Sequence, residues 1–201
     1  LLYLHPEEVL SSVLNEEVDL GLMSFPPKRS DLNCIPWQDQ PIVVVVPPSH
    51  ALAKRDWVKV EELDGENLVG FTTGLQMRTE TDKWLKHSKV HVSVVHAFDN
   101  IENIKRAVEI GSGIALLPVA TVRREVELGS LVAIPLEDVA WFRRLAIIHK
   151  RTKPFTTAIS RFLELLKQDP ETFSGPGQSH DAAGSVTSAT DAASKSKQIA
   201  R

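Results

Sequence analysis

The chain has 201 residues, of which 42% are hydrophobic and 24% charged, with a formal net charge of −3. That length admits one large domain or two small ones with an ample core, and the charge excludes a surface built to coat nucleic-acid phosphates, since no Lys/Arg block or basic stretch interleaved with aromatics occurs. The single cysteine, Cys34, excludes an internal disulfide framework and fits a reducing compartment, reading as a small strand hydrophobe, while no apolar run approaches the roughly 20 residues that span a bilayer.

His5-Pro6-Glu7-Glu8 predicts a helix start, with proline at the first helical position and carboxylates at the positive end of the dipole. Val9, Leu10, Val13 and Leu14 form its apolar stripe. Residues 18–23 read as a strand that turns at Ser24-Phe25-Pro26-Pro27, and residues 33–37 as a second strand. The β-branched run at residues 42–46 predicts a strand buried on both faces. Pro47-Pro48-Ser49-His50 is a rigid break and the first candidate boundary.

Beyond it the pattern predicts a short helix near residues 60–63, a strand at 67–71, the loop Thr72-Thr73-Gly74, and a helix from 75 to about 87 with Met77, Thr81, Trp84 and Leu85 inward. A strand at 91–98 follows. Asp99 and Glu102 then have capping-box spacing, Ile101, Ile104 and Val108 share one helical face, and Gly111 ends the helix. Gly111-Ser112-Gly113 lacks the third glycine of a dinucleotide fingerprint and precedes a strand, at 114–117, so it reads as a tight turn. A short helix near 119–127, strands at 131–134 and 141–149, and a helix carrying Phe155, Ile159, Phe162, Leu163 and Leu166 complete the ordered chain. From residue 169 the composition turns to Ser, Ala, Gly and Thr, which predicts a disordered tail over 169–201.

This order of elements implies an α/β fold of two lobes with mixed sheets, joined by two crossovers. Residues 1–47 and 140–168 build the first lobe and 48–139 the second, leaving a cleft suited to a small ligand. The residues hold no nucleophile elbow, Walker loop or zinc spacing, and His87 and His91, four apart, are separated by a helix end and should not share a face, so neither an enzyme, a metal site nor a cofactor is expected. What remains are small polar residues where strands give way to helices: His5, Ser24, Thr72, Thr73, Gly74 and Asn100. Helix starts offer unpaired N–H groups and the positive dipole end, which favours a carboxylate or another small oxyanion. Ordinary capping accounts for any one of them equally well. The triplet at 72–74 stands out because it follows a buried strand. Arg78, Lys28 and Arg29 either add charge there or lie on solvated surface.

The segments Glu16-Glu17-Val18-Asp19-Leu20-Gly21-Leu22, Pro47-Pro48-Ser49-His50-Ala51-Leu52 and residues 99–118, in that order and spacing, resemble the C-terminal effector-binding region of LysR-type transcriptional regulators. The resemblance spans residues 1 to about 168. It implies a two-lobed fold similar to periplasmic solute-binding proteins, a small anionic metabolite bound in the cleft, and effector domains paired into a homodimer or homotetramer. It places effector contacts on His5, on Ser24 and Phe25, on Thr72, Thr73 and Gly74, and more weakly on the turn before Asn100. The faces toward another subunit fall near residues 7–17 and 75–86. Promoter DNA would be bound only by a helix-turn-helix module that precedes this region, which is expected to be missing here together with the first strand and helix of the first lobe. A cytoplasmic setting without membrane contact follows. The competing expectation is a solute-binding protein of a transport system.

Overall fold

The computed structural model describes residues 1–137 and 141–168; the expected disordered tail lies outside the described residues. Helix α1 (Pro6–Leu14) begins as the sequence predicts, with Pro6 in its first turn and the Glu8 carboxylate accepting from the His5 N–H at 2.9 Å. Strand β1 (Gly21–Ser24) follows and pairs antiparallel with β7 (Phe142–Lys150). Gly21 is required there by close packing, because a Cβ would lie 2.7 Å from Val9 Cγ1 and 2.9 Å from Val13 Cγ2.

Strand β2 is one element, Leu32–Val46, where the sequence predicted two. Its first part pairs with β7, from Leu32↔Lys150 to Pro41↔Phe142. Its last residues pair instead with β5 (Ala115–Pro118) and β6 (Val132–Ile134). The two prolines and the polar Gln38-Asp39-Gln40 look like a break, yet each proline sits where a ladder donor is least needed. Pro36 lies at an irregularity in register, and Pro41 at the switch of partners. One long strand therefore belongs to two packing regions. Residues 42–46, expected on the first-lobe side of Pro47, pack in the larger core with Val58, Leu63, Leu68, Ile104, Leu117 and Ile134.

The larger core is completed by β3 (Asn67–Phe71), α2 (Gln76–His87), β4 (Ser93–Phe98) and α3 (Ile101–Glu109), and α4 (Arg123–Glu127) follows the buried Val122 of the same core. Strands β3 and β4 run parallel, and residue 114 bridges to Leu68 on the other side of β3. Helix α3 starts one residue later than expected: Asn100, not Asp99, is the cap, its Oδ1 accepting from the Asn103 N–H at 2.9 Å. Both residues are good caps, and the shift places Asn103 rather than Glu102 in the capped position; Glu102 turns to Lys105 instead, at 2.8 Å. The helix ends as expected, with Gly111 at φ +81° and Ser112 N–H bonded to Ala107 O at 3.0 Å, a Schellman closure.

Two smaller clusters cover opposite faces of the β1–β7–β2 sheet, because adjacent strand residues point to opposite sides. Ile148 packs with Val13 and Leu32 under α1, while Ile147 packs with Leu163 and Leu166 of α5 (Thr157–Gln168). The Trp37 indole N–H seals the second face, donating to Leu166 O at 2.7 Å.

Candidate functional site

Phe71 and Phe98 are register partners at the ends of the parallel strands β3 and β4, and Thr72 N–H bonds to Phe98 O at 2.9 Å. The fold thereby brings Thr72, Thr73 and Gly74 beside the turn at Asp99 and Asn100, at the carboxyl ends of two parallel strands, where α/β sheets present ligands. The two helix starts differ chemically. Asn100 is occupied as a cap, and its Nδ2 donates to Asp99 Oδ1 at 2.9 Å. The start of α2 is open: its N-cap is Leu75, which supplies no side-chain acceptor, and Gly74 at φ +97° turns the backbone into it. Among the described residues neither threonine hydroxyl takes a hydrogen-bond partner, and the first turn of α2 has no side-chain cap.

Arg78 is neither solvated surface nor a free charge. Its Nε contacts both carboxylate oxygens of Asp82 at 2.8 and 2.9 Å, and Nη1 donates to Phe71 O at 3.0 Å, which braces the strand end that carries the loop. Arg29 is tied to Asp31 at the surface. Cys34 lies on strand β2, as the sequence predicts, but is exposed, and local desolvation raises its thiol pKa.

Ser24 ends β1 and Phe25 follows it. Ser24 is the partner of Leu145, Phe25 N–H bonds to Arg144 O at 3.0 Å, and the Phe25 ring packs against the larger core. Phe25 holds φ +49°, a conformation uncommon for a residue with a side chain and worth notice where a loop leaves a strand. His5 caps α1 by its backbone and its side chain is exposed.

Sequence reasoning missed the pair Gln40 and Arg143. They are register partners on β2 and β7. Arg143 Nε donates to Gln40 Oε1 at 3.0 Å, with Nη2 also on that oxygen, and Gln40 Nε2 donates to Gln38 Oε1 at 2.9 Å. Burial pushes the Arg143 guanidinium down to about 10, which leaves it charged at neutral pH. A separate groove of about 600 Å³ lies between α3 and α4, lined by Glu102, Arg106, Glu109, Arg124, Glu125 and Ser130 among others. Its charges largely neutralise one another, as Arg106 meets Glu109 at 2.7 Å and Lys105 meets Glu125 at 2.9 Å. Among the described residues no group of three or more His, Cys, Asp or Glu could hold a metal ion, and no helix is long and apolar enough to cross a membrane.

Among curated relatives, the chain is 30% identical over 160 residues to the HTH-type transcriptional regulator YeiE of Escherichia coli (strain K12), covering 79% of this chain and 54% of that protein. It is 25% identical over 160 residues to the RuBisCO operon transcriptional regulator of Allochromatium vinosum, covering 80% and 53%. The chain thus spans about half the length of the curated relatives it matches. The regulatory domain of Synechocystis PCC6803 CcmR, solved in complex with 2-PG, superposes with a TM-score of 0.73 at 26% identity, covering 83% of this chain and 80% of that one. The effector binding domain of QuiR in complex with shikimate shares the fold, with a TM-score of 0.72 at 16% identity and coverage of 84% and 79%. These relatives are transcriptional regulators or their regulatory domains, and none of these names describes a transport protein. A model of the LysR substrate binding domain matches residues 1–170, and the chain belongs to that family.

Proposed function

We propose that this chain is the effector-sensing part of a DNA-binding transcriptional regulator and that it binds a small anionic metabolite between two lobes, one built on the β1–β7–β2 sheet and the other on the larger core. The open start of α2 carries the reading: Thr72 and Thr73 lead through Gly74 into a first turn with no side-chain cap, whose free amides and positive dipole end suit an anion. Ser24 and Phe25 would close the site from the other lobe, with His5 at its rim. Asn100, engaged in capping α3, would position the neighbouring turn rather than touch the ligand. The anions named with CcmR and QuiR support the ligand class, a carboxylate or phosphate of metabolite size. The whole regulator would pair effector domains through the faces near residues 7–17 and 75–86, work in the cytoplasm, and reach promoter DNA through a module outside this chain.

Thermal-shift screening against organic acids and oxyanions tests this. The double substitution Thr72→Val, Thr73→Val removes both hydroxyls while keeping the β-branched shape, so the unliganded melt should stay within about 0.5 kcal/mol of wild type, as for a surface change. Ligand-induced stabilisation should disappear. Full retention of the ligand response in the double variant would refute the site.

A further inference from the structure

Arg143 differs from the carboxylate-paired cations, and unlike Arg151, an exposed residue that donates to Leu32 O, it is withdrawn from solvent. Arg29, Arg55, Arg78, Lys105, Arg106 and Lys153 each meet a carboxylate. Arg143, half-buried, meets only the neutral amide of Gln40. A guanidinium withdrawn from water without a counter-charge is costly, and a bound anion would offset that cost. Gln40 is 8% exposed and itself held by Gln38, so it fixes the guanidinium without neutralising it. Two of its N–H donors face Gln40 Oε1, which leaves three of the five for a ligand.

The position fits the same purpose. Gln40↔Arg143 is the pair next to Pro41↔Phe142, where β2 leaves β7 to join the strands of the larger core. Ser24 pairs with Leu145, and strand alternation puts Leu145 and Arg143 on one face. Ser24 is thus a diagonal neighbour of Arg143, about 7–8 Å away by sheet geometry and within reach of a long side chain.

We propose that Arg143 is the charge-bearing anchor of the effector site, held by Gln40 and pairing with the carboxylate or phosphate of the metabolite at the Ser24 end of the cleft. This rests on the reading of that cleft as the effector site. The planar fork suits a two-oxygen anion, so the residue sets selectivity for anions over neutral analogues.

Isothermal titration of the 201-residue chain with 2-phosphoglycolate, shikimate and inorganic phosphate, at low and high KCl, tests it. Wild type should bind at least one probe, with affinity falling as salt rises. Arg143→Gln should weaken that probe by roughly ten- to hundredfold, the range for a lost charge-assisted contact, and flatten the salt dependence. Arg143→Lys, which keeps the charge but not the fork, should fall between. If Thr72→Val, Thr73→Val abolishes binding while both Arg143 variants bind as wild type, the Arg143 assignment is overturned and the cleft stands. If neither set changes binding, both are overturned. Absence of binding to every probe overturns the anion anchor. Should Arg143→Gln fail to fold, a folded Arg143→Lys protein with wild-type affinity overturns the proposal.

Discussion

Lys105 shows how this molecule treats a charge it has no external use for. Its side chain is 7% exposed, and Nζ reaches Glu125 Oε1 at 2.9 Å, Thr121 O at 3.2 Å and Glu102 at 2.8 Å. Burial works against the ammonium, but Glu102 and Glu125 outweigh it and hold the pKa above the ordinary 10.5. Glu125 also buries a second carboxylate oxygen with no partner among the described residues. Replacing Lys105 by Met would leave that carboxylate without its cation and should destabilise the fold by about 3 kcal/mol. Lys105→Met with Glu125→Leu should recover most of the loss, since it removes both charges and the unpartnered oxygen. Urea denaturation near neutral pH reads the difference; a double variant as unstable as the single one would contradict the argument. The sign with pH is fixed by the raised pKa: the contribution of the charged Lys105 declines only as pH rises past 10.5 and through the folded pKa, so the gap to Lys105→Met should narrow there. Arg143 is the contrasting case, a withdrawn cation that meets a neutral amide.

At the scale of elements, the turn at residues 111–113 joins α3 to β5 through two glycines with different duties. Gly111 supplies a positive φ with nothing near its Cβ position, whereas a Cβ on Gly113 would lie 2.3 Å from Asn67 O and 2.9 Å from its carbonyl carbon. The close approach exists because Ile114 N–H bonds to Asn67 O at 2.8 Å. Gly111→Ala should therefore cost about 1–2 kcal/mol of left-handed strain, and Gly113→Ala about 3 kcal/mol or more, because backbone must move. Chemical denaturation that ranked them in the opposite order would sink this reading. The motif itself is legible in sequence, as are α1, β3 and the loop at 72–74, because caps, glycines and apolar spacing are local signals. The continuity of β2 is not local: it depends on strands more than seventy residues away in the chain, and its prolines argue for a break. The same holds for the site. Thr72, Thr73 and Gly74 announce themselves by their place between a buried strand and a helix, but Gln40 and Arg143 meet across 103 residues of chain. Neither carries a motif, so only the register of β2 on β7 reveals them.

Across the whole molecule, the question is how an occupied cleft could be felt elsewhere. A ligand shifts the relation of two lobes only if it binds one arrangement better than another. The structure supplies a contact whose state would register such a shift. Trp84 of α2, the helix that follows the Thr72–Gly74 loop, stacks on Trp141 with ring centroids 4.7 Å apart and planes 8° from parallel. Trp141 immediately precedes β7, and its carbonyl accepts from Ile42 N–H at 2.9 Å, at the place where β2 changes partners. The two indoles thus join the proposed ligand loop to the crossover between packing regions. Parallel rings at this separation are offset-stacked partners worth roughly 1 kcal/mol beyond their burial, enough to hold one arrangement yet small enough to yield to a bound anion. If the lobes turn on ligand binding, the exciton signal of the stacked pair in circular dichroism should change as 2-phosphoglycolate saturates the site. Trp84→Phe should remove that signal in both states, which assigns it against Trp37 and Trp57. A signal that stays constant through saturation would mean that α2 and the crossover move as one body, and transmission would then have to run by another route.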